Sequence, residues 1–313
     1  MDLRIKEIVR FSSELGFSGC GIVPVAHLAE EEEHLRTWLD QGFNGEMHYL
    51  SRDPRKRCNP ALLMEGALTL IMVTQNYYTP VRQTDTSAPI LSRYAYGKDY
   101  HEVVKSKLHV LLNFIRELLP GIKGRVFADS APLLEKAWAT RAGLGWIGKN
   151  TLLISPEAGS FFFLGGILLD KEIPVFSPEI PEDRCRTCTL CLDACPTGAL
   201  VAPRILDARR CISYQTIEHK KGPDDTLKGH FRNRVFGCDI CQEICPWNRK
   251  ALPNSEKAFL PAAELEQLTA EEWESMDQTL FSRLFSGTPV MRAGYEKIRK
   301  NLDFLKSYQP ANE

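Results

Sequence analysis

Apolar residues recur at helical spacing through one long segment of the first half of the chain. Steps of four and three separate five of them: Val104, Leu108, Leu111, Ile115 and Leu118. The dipeptide PG at positions 120 and 121 follows, and proline cannot continue a helix. The pattern therefore predicts an amphipathic helix that ends before residue 120.

Short apolar runs between turn residues predict the strands of a sheet. These runs are ALTLIMV (67–73), GRVFAD (124–129), TLLI (151–154) and FFFLGGILL (161–169). Helical patterns near 2–15, 31–41 and 132–142 alternate with them. The alternation predicts an α/β (α+β) domain over residues 1–178, in which helices cover a sheet and leave room for a large ligand.

One junction in this domain places a carboxylate at the end of a strand. Asp129 ends the predicted strand GRVFAD, and Pro132 is well placed for the first turn of the next predicted helix. An aspartate in this position usually caps the helix or interacts with its dipole. The sequence pattern alone favours that structural role over a catalytic one.

The net charge and the hydropathy pattern indicate which partners the protein can bind and in which cellular compartment it is expected. The 313 residues include 39 Lys and Arg against 40 Asp and Glu, a net charge of −1, so any surface for nucleic acid has to be local. The apolar run at 161–169 is much shorter than the ~20 residues of a membrane span, and the amino-terminal pattern lacks an apolar signal core. We expect a cytoplasmic protein without membrane contact.

Eight of the ten cysteines lie between residues 185 and 245, which indicates ligation of a metal or cluster. The other two, Cys20 and Cys58, are isolated and are expected to be ordinary, partly buried thiols. The stretch CRTCTLCLDACP has the CxxCxxCxxxCP spacing of bacterial ferredoxins, in which the fourth cysteine ligates a second cluster. A second, reciprocal run is therefore required.

The stretch CDICQEICP provides the last three cysteines of that reciprocal run. Val235 occupies the position of its first cysteine, and Cys211 is the spare thiol upstream. The crossover then predicts two [4Fe–4S] ligand sets, which are Cys185, Cys188, Cys191 and Cys245 for one cluster and Cys195, Cys211, Cys238 and Cys241 for the other. Tetrahedral zinc is the alternative, but the triple spacing and both CP endings favour clusters. Residues 179–250 are thus predicted to form a ferredoxin-like domain that conducts electrons.

Five motifs occur in order over residues 50–250 and resemble those of epoxyqueuosine reductases, a family of cobalamin-dependent iron–sulfur enzymes. They are SRYAYGKDYH (92–101), FADSAPLLEKAWATRAGLGWIGKNTLLI (127–154), CRTCTLCLDACPTGAL (185–200), RCISYQTIEHKKG (210–222) and GCDICQEICPWN (237–248). The resemblance implies a cobalamin-binding catalytic domain that is similar to that of reductive dehalogenases, with a nitroreductase-like sheet, over residues 1–178.

The resemblance also implies a reaction and a proton donor. Epoxyqueuosine at the wobble position of tRNA would be reduced to queuosine, with cobalamin as the reactive centre, the two clusters as electron carriers and an external electron donor. Asp129 matches the family's proposed proton donor, a role that requires a raised pKa at neutral pH. The expected cobalamin contacts are Arg57, Tyr96, Lys98, Asp129, Ser213, Cys238 and Asp239. We expect a monomer.

A basic segment is the expected surface for the tRNA. Residues 204–250 contain ten Lys and Arg against six acidic residues, a net charge of +4, with Lys220 and Lys221 as the predicted phosphate contacts. A solvated charged face is the alternative interpretation. Many family members continue into a helical-repeat domain that helps to hold the tRNA, whereas residues 251–313 predict only a short helical segment.

Two other functions would account for some of these sequence features. A ferredoxin-type electron carrier would explain the clusters but not the first 180 residues. A reductive-dehalogenase-like enzyme would share both cofactors but usually carries an export signal. The spectrum of the reconstituted protein separates the carrier from the corrinoid enzymes.

Overall fold

The computed structural model describes residues 3–177, 179 and 182–307. Its strands are β1 (Gly19–Pro24), β2 (Thr69–Asn76), β3 (Ile90–Leu91), β4 (Gly124–Phe127), β5 (Trp146–Ile147), β6 (Leu153–Ile154), β7 (Phe162–Leu169), β8 (Leu200–Ala202), β9 (Ile205–Leu206) and β10 (Arg234–Phe236). Its α-helices are α1 (Leu3–Glu14), α2 (Ala29–Asp40), α3 (Pro54–Cys58), α4 (Tyr100–Leu118), α5 (Glu135–Arg141), α6 (Leu190–Asp193), α7 (Ile212–Ile217), α8 (Ile240–Glu243), α9 (Ala263–Gln267), α10 (Ala270–Glu274), α11 (Gln278–Phe285), α12 (Val290–Ala293) and α13 (Tyr295–Lys306).

The first half of the chain folds around a four-stranded antiparallel sheet in the order β1-β2-β7-β4. Side chains alternate across β2, so that Ile71 and Val73 pack with α1 and α4, while Leu70 and Met72 pack with α5 on the other face. Burial on both faces explains why β2 and β7 are continuous apolar runs in the sequence. The predicted helix-covered sheet is confirmed, but the predicted strand TLLI (151–154) is not part of it, because Leu153 and Ile154 pair with β5 in a separate two-stranded sheet.

Gly165 in β7 allows α4 to pack closely against the sheet. A Cβ atom added at Gly165 would lie 2.8 Å from a methyl carbon of Val104 and 3.0 Å from one of Leu108. Real Cβ atoms do not approach so closely, so this strand interior needs glycine for packing. The close approach brings the start of α4 next to the end of β4, and these two ends carry the site described below.

The helix predicted over 132–142 begins later, at Glu135. Residues 128–134 instead form a loop in which Asp129 has a φ of +58°. A left-handed backbone conformation is uncommon for residues other than glycine, although aspartate tolerates it better than most. Because no helix begins within described residues 130–134, the predicted helix-capping role of Asp129 is wrong.

The carboxyl-terminal helices pack onto both earlier parts of the chain. Strand β10, from the cysteine-rich segment, pairs in parallel with β3, and Phe236 shares a core with Leu91, Trp273 and Phe285. Residues from all three predicted domains therefore contribute to one hydrophobic core. The boundaries at 178/179 and 250/251 stay predictions. In the part of the chain that the structure describes, no helix is long and apolar enough to cross a membrane.

Candidate active site and cluster sites

A cavity of about 650 Å³ opens beside the carboxyl end of β4. Its wall is largely apolar and includes Leu133, Leu134, Ile147, Leu152, Phe162 and Leu164. Charged and polar side chains also line it, among them Asp129, Glu135, Lys136 and Arg204. An apolar cavity of this size with a few polar groups is typical of a cofactor or substrate site.

Asp129 lies at the wall of this cavity and is held by three residues from two helices, α4 and α5. Its carboxylate Oδ2 accepts hydrogen bonds from the Tyr100 hydroxyl at 2.6 Å and from His101 Nε2 at 2.9 Å. Its backbone N–H donates to Glu135 Oε1 at 2.6 Å. The side chain of Asp129 is still 58% exposed, so the carboxylate is fixed in orientation and open to a ligand.

These contacts decide the ionisation of the carboxyl groups. Burial raises the pKa of Asp129, but the hydrogen bonds from His101 and Tyr100 outweigh burial, so the pKa is lowered from its ordinary value. Burial and the nearby Asp129 carboxylate raise the pKa of Glu135 to about 8. The raised pKa that donation by Asp129 requires is thus absent from the resting arrangement, whereas the pKa of the neighbouring Glu135 is raised.

The predicted cysteine sets line two further cavities. Cys185, Cys188, Cys191 and Cys245 surround a space of about 210 Å³, and Cys195, Cys211, Cys238 and Cys241 surround one of about 290 Å³. Each cavity thus brings together four thiols from distant parts of the chain in the crossed arrangement. The ligand sets themselves stay a prediction.

Two short helices and one strand explain this arrangement. One-turn helices α6 and α8 carry Cys191 and Cys241. Val235, at the position of the missing cysteine, is completely buried in β10. Cys211 lies directly before α7 and lines the second cavity. A core position in a strand is thus filled by valine, and the fourth thiol comes from elsewhere.

The segment GKNT (148–151) of the first domain contacts both cysteine runs. Lys149 Nζ donates to the Arg186 carbonyl at 2.6 Å, and Asn150 Nδ2 donates to the Cys241 carbonyl at 3.2 Å. Lys136, Thr151 and Leu152 line both the Asp129 cavity and the cavity of Cys195. Groups bound in these two cavities would therefore be neighbours.

The other predicted cobalamin contacts lie at different places. Ser213 and Asp239 line the second cysteine cavity, together with Cys238. Arg57 donates to the Tyr49 carbonyl at 2.7 Å and its guanidinium lies over the Tyr49 ring. Tyr96 is buried in the core shared with the carboxyl-terminal helices, and Lys98 is exposed. Among the described residues that line the Asp129 cavity, Arg57, Tyr96 and Lys98 are absent, so their cofactor role stays a prediction.

The sequence reasoning missed four residues that complete the site. Tyr100 and His101 bind Asp129, Glu135 binds its backbone, and Lys136 lies in the shared wall. Tyr100 and His101 end the motif SRYAYGKDYH, and the other two lie within FADSAPLLEKAW. Their place in these motifs was the available signal, but the contacts between the motifs were not predictable from spacing.

Lys220 and Lys221 are exposed directly after α7. The Lys220 backbone N–H donates to Glu46 Oε2 at 2.8 Å, which fixes the chain there. Within residues 3–177, 179 and 182–307, neither lysine side chain forms an ion pair. Four other basic residues of the segment are paired with carboxylates, namely Arg204, Arg209, Lys228 and Arg234.

Comparisons with known proteins agree with this arrangement. A family model described as a 4Fe–4S double cluster binding domain matches residues 184–248, and one described as "Epoxyqueuosine reductase QueG, DUF1730" matches residues 57–130. An epoxyqueuosine reductase of Cellulophaga algicola is 44% identical over 292 residues, which are 93% of this chain and 94% of the relative. One of Cyclobacterium marinum is 43% identical, over 96% of each chain.

The chain belongs to the epoxyqueuosine reductase family. A solved epoxyqueuosine reductase in complex with an epoxyqueuosine-modified tRNA-Tyr stem loop has the same fold, with a TM-score of 0.83 and 29% identity. The match covers 96% of this chain and 80% of that chain. The mixed α/β fold with a double-cluster region is therefore that of the family, and the family carries two [4Fe–4S] clusters in the segment that holds the eight cysteines.

Proposed function

We propose that this epoxyqueuosine reductase family member reduces epoxyqueuosine at the wobble position of tRNA to queuosine. The observation that carries the proposal is the position of Asp129, an exposed and oriented carboxylate at the wall of a large apolar cavity that shares residues with the second cysteine cavity. An electron carrier would have no use for this cavity. We assign residues 1–178 to the catalytic domain, 179–250 to the ferredoxin-like domain and 251–313 to the helical segment.

The cavity next to Asp129 fits a corrinoid. Its wide apolar wall suits the face of a macrocycle, and Lys136, Arg204 and Thr151 provide polar contacts at its edge. The four-thiol cavities suit [4Fe–4S] clusters, for which thiolates are the usual ligands. When bound, the clusters supply single electrons at low potential, and cobalamin supplies a cobalt centre for the reduction. The antiparallel sheet with helices on both faces is consistent with a nitroreductase-like domain.

Asp129 is the residue that passes a proton to the departing epoxide oxygen. Its carboxylate is exposed to the cavity, and Tyr100 and His101 hold its orientation. Apolar side chains such as Leu133 and Phe163 line the same cavity and would help to exclude water once a ligand fills it. The tRNA would contact Lys220 and Lys221, which are exposed and carry free positive charge. An external electron donor is required, and we propose a monomer.

The reaction can be tested with protein that is reconstituted with iron, sulfide and cobalamin. Its absorption spectrum should show corrinoid bands beside the cluster shoulder. Reduced protein should convert epoxyqueuosine in tRNA to queuosine in a single turnover, as measured by mass spectrometry of the nucleosides. Corrinoid binding without queuosine formation would overturn the assigned reaction, and cluster assembly without corrinoid binding would overturn the assignment of the cavity.

A further inference from the structure

A buried histidine connects Asp129 to a second carboxylate. His101 Nε2 lies 2.9 Å from Asp129 Oδ2, and His101 Nδ1 lies 2.8 Å from Asp99 Oδ1. His101 is 7% exposed, and its ring packs against the Tyr100 ring with centroids 4.1 Å apart. Both ring nitrogens of one imidazole thus face carboxylate oxygens.

A neutral imidazole between two ionised carboxylates carries one N–H proton. The observed contacts at both ring nitrogens require a second proton. A neutral imidazole has a single N–H, so its other nitrogen would turn a lone pair towards carboxylate lone pairs. One additional proton, shared by the imidazole and the two carboxyl groups, gives each ring nitrogen a partner with the complementary role. The Asp99–His101–Asp129 triad therefore stores a proton in the resting site, although the pKa of Asp129 itself is lowered.

The chemistry of the reaction gives this stored proton a use. Conversion of an epoxide to an alkene breaks two C–O bonds and forms one C=C bond, and the oxygen leaves as water. The balance takes two electrons, from the external electron donor, and two protons. One carboxyl group delivers one proton at a time, so Asp129 has to be reprotonated between the two deliveries.

We propose that His101 is the positioning residue that stores a proton and transfers it to the substrate through Asp129, with Asp99 as the buried partner that orients the ring. This inference rests on the proposed function. Asp99 Oδ2 accepts from Arg292 Nε at 2.7 Å, and the Arg292 side chain is 53% exposed. The Asp99 side chain itself is only 11% exposed, whereas that of Asp129 is 58% exposed, so the proton is replaced from the cavity through Asp129.

The other charged groups around His101 do not displace its contacts with Asp99 and Asp129. Tyr100 lies on the same helix, and its hydroxyl donates to Asp129. Arg292 Nη1 lies 3.4 Å from His101 Nε2 and opposes a positive charge there, but the two carboxylates make closer contacts. Glu135 and Lys105 lie further away, where they contact the loop of Asp129 and Ser130.

The test compares His101→Gln with His109→Gln, the same substitution at an exposed position of the same helix α4. Glutamine can still donate to Asp129 but stores no proton. Single-turnover rates are measured with reduced holoenzyme and epoxyqueuosine tRNA from about pH 5 to about pH 9. We expect His101→Gln to be roughly 10²-fold slower and to lose the fall in rate with rising pH that the wild type shows. His109→Gln should match the wild type.

Asp99→Asn provides a second measurement. Asparagine caps α4 about as well as aspartate but removes one of the two negative charges that hold the stored proton, so the fall in rate should move to lower pH. A wild-type rate in His101→Gln, a slower rate with an unchanged pH profile, or an unmoved profile in Asp99→Asn would overturn the inference. Absence of queuosine formation by the wild-type holoenzyme would instead overturn the proposed function itself.

Discussion

At the scale of single residues, Asp129 is defined by its partners rather than by its place in the sequence. The backbone of Asp129 adopts a φ of +58°, and its carboxylate is held by two side chains from the start of α4. Left-handed backbone at a non-glycine residue costs free energy and often marks a functional site. The hydrogen bonds from Tyr100 and His101 offset part of that cost and fix the carboxylate at the cavity.

Asp129→Asn should leave the fold intact and slow the reaction. Asparagine tolerates a positive φ, and its side-chain oxygen can still accept from Tyr100 and His101. It cannot transfer a proton, so the single-turnover rate with pre-reduced protein should fall by roughly 10²- to 10⁴-fold. Cluster and corrinoid absorbance should stay at the wild-type level. Asp40→Asn, at the exposed end of α2, is the control, and full activity of Asp129→Asn would exclude the donor role.

At the scale of elements, the cysteine segments are short and depend on neighbouring elements for their position. The helices α6 and α8 have four residues each, too few to be stable alone. The GKNT segment binds both runs, and α13 packs behind α7 and β10. The positions of the cysteine segments thus depend on contacts with residues outside 179–250.

Cys211→Ala should remove one cluster and leave the other. Cys211 lines the cavity of Cys195, Cys238 and Cys241, where it would complete the four thiolates. The reconstituted variant should contain roughly half the iron of the wild type. Cys58→Ala, a buried cysteine away from both cavities, should retain all of it. An unchanged iron content and spectrum in Cys211→Ala would show that another ligand completes the cluster.

Asn301→Leu should destabilise the contact between α13 and the second cysteine segment. Asn301 is 1% exposed, and its Nδ2 donates to the carbonyls of Thr216 and Val235, both at 2.9 Å. Leucine would leave both carbonyls without this donor, at a cost of about 1–3 kcal/mol in the free energy of unfolding. Denaturant titration measures the loss, with Lys300→Ala on the same helix as the exposed control. Equal stability of both variants would contradict the anchoring role.

At the scale of the whole molecule, charge is distributed unevenly although the net charge is −1. Several basic residues of the segment 204–250 are neutralised by carboxylates, whereas Lys220 and Lys221 are exposed at the end of α7. Close to them, Lys297 of α13 donates to the His219 carbonyl at 2.5 Å. The loop that presents the two lysines is therefore held by the carboxyl-terminal helix.

Reversal of both charges, Lys220→Glu with Lys221→Glu, should weaken tRNA binding and reduce its salt dependence. Each lost phosphate contact lowers the slope of log K against log salt concentration by about one unit. Binding isotherms at several salt concentrations measure the slope, and corrinoid absorbance should stay unchanged. Lys6→Glu with Lys123→Glu reverses two exposed charges of the first domain as the control. An equal slope in the two double variants would mean that the tRNA binds elsewhere.

The sequence by itself determined the features that depend on local spacing. The apolar steps from Val104 to Leu118 predicted α4, because one turn of helix repeats every three to four residues. The CxxCxxCxxxCP run and its partner run indicated two clusters, since ligand spacing along a short loop is a local property. The motifs over residues 50–250 indicated the family, because each motif is also a local pattern in the sequence.

Only the tertiary structure decided which distant residues meet. It replaced the predicted helix cap at Asp129 by a loop that contacts Tyr100 and His101, which precede it by 29 and 28 residues. It lowered the pKa of that carboxyl where the sequence reasoning required a raised value. Such contacts arise because α4 packs across the sheet next to β4. Their energies depend on burial and on the distances between groups, which cannot be read from the spacing of residues in the sequence.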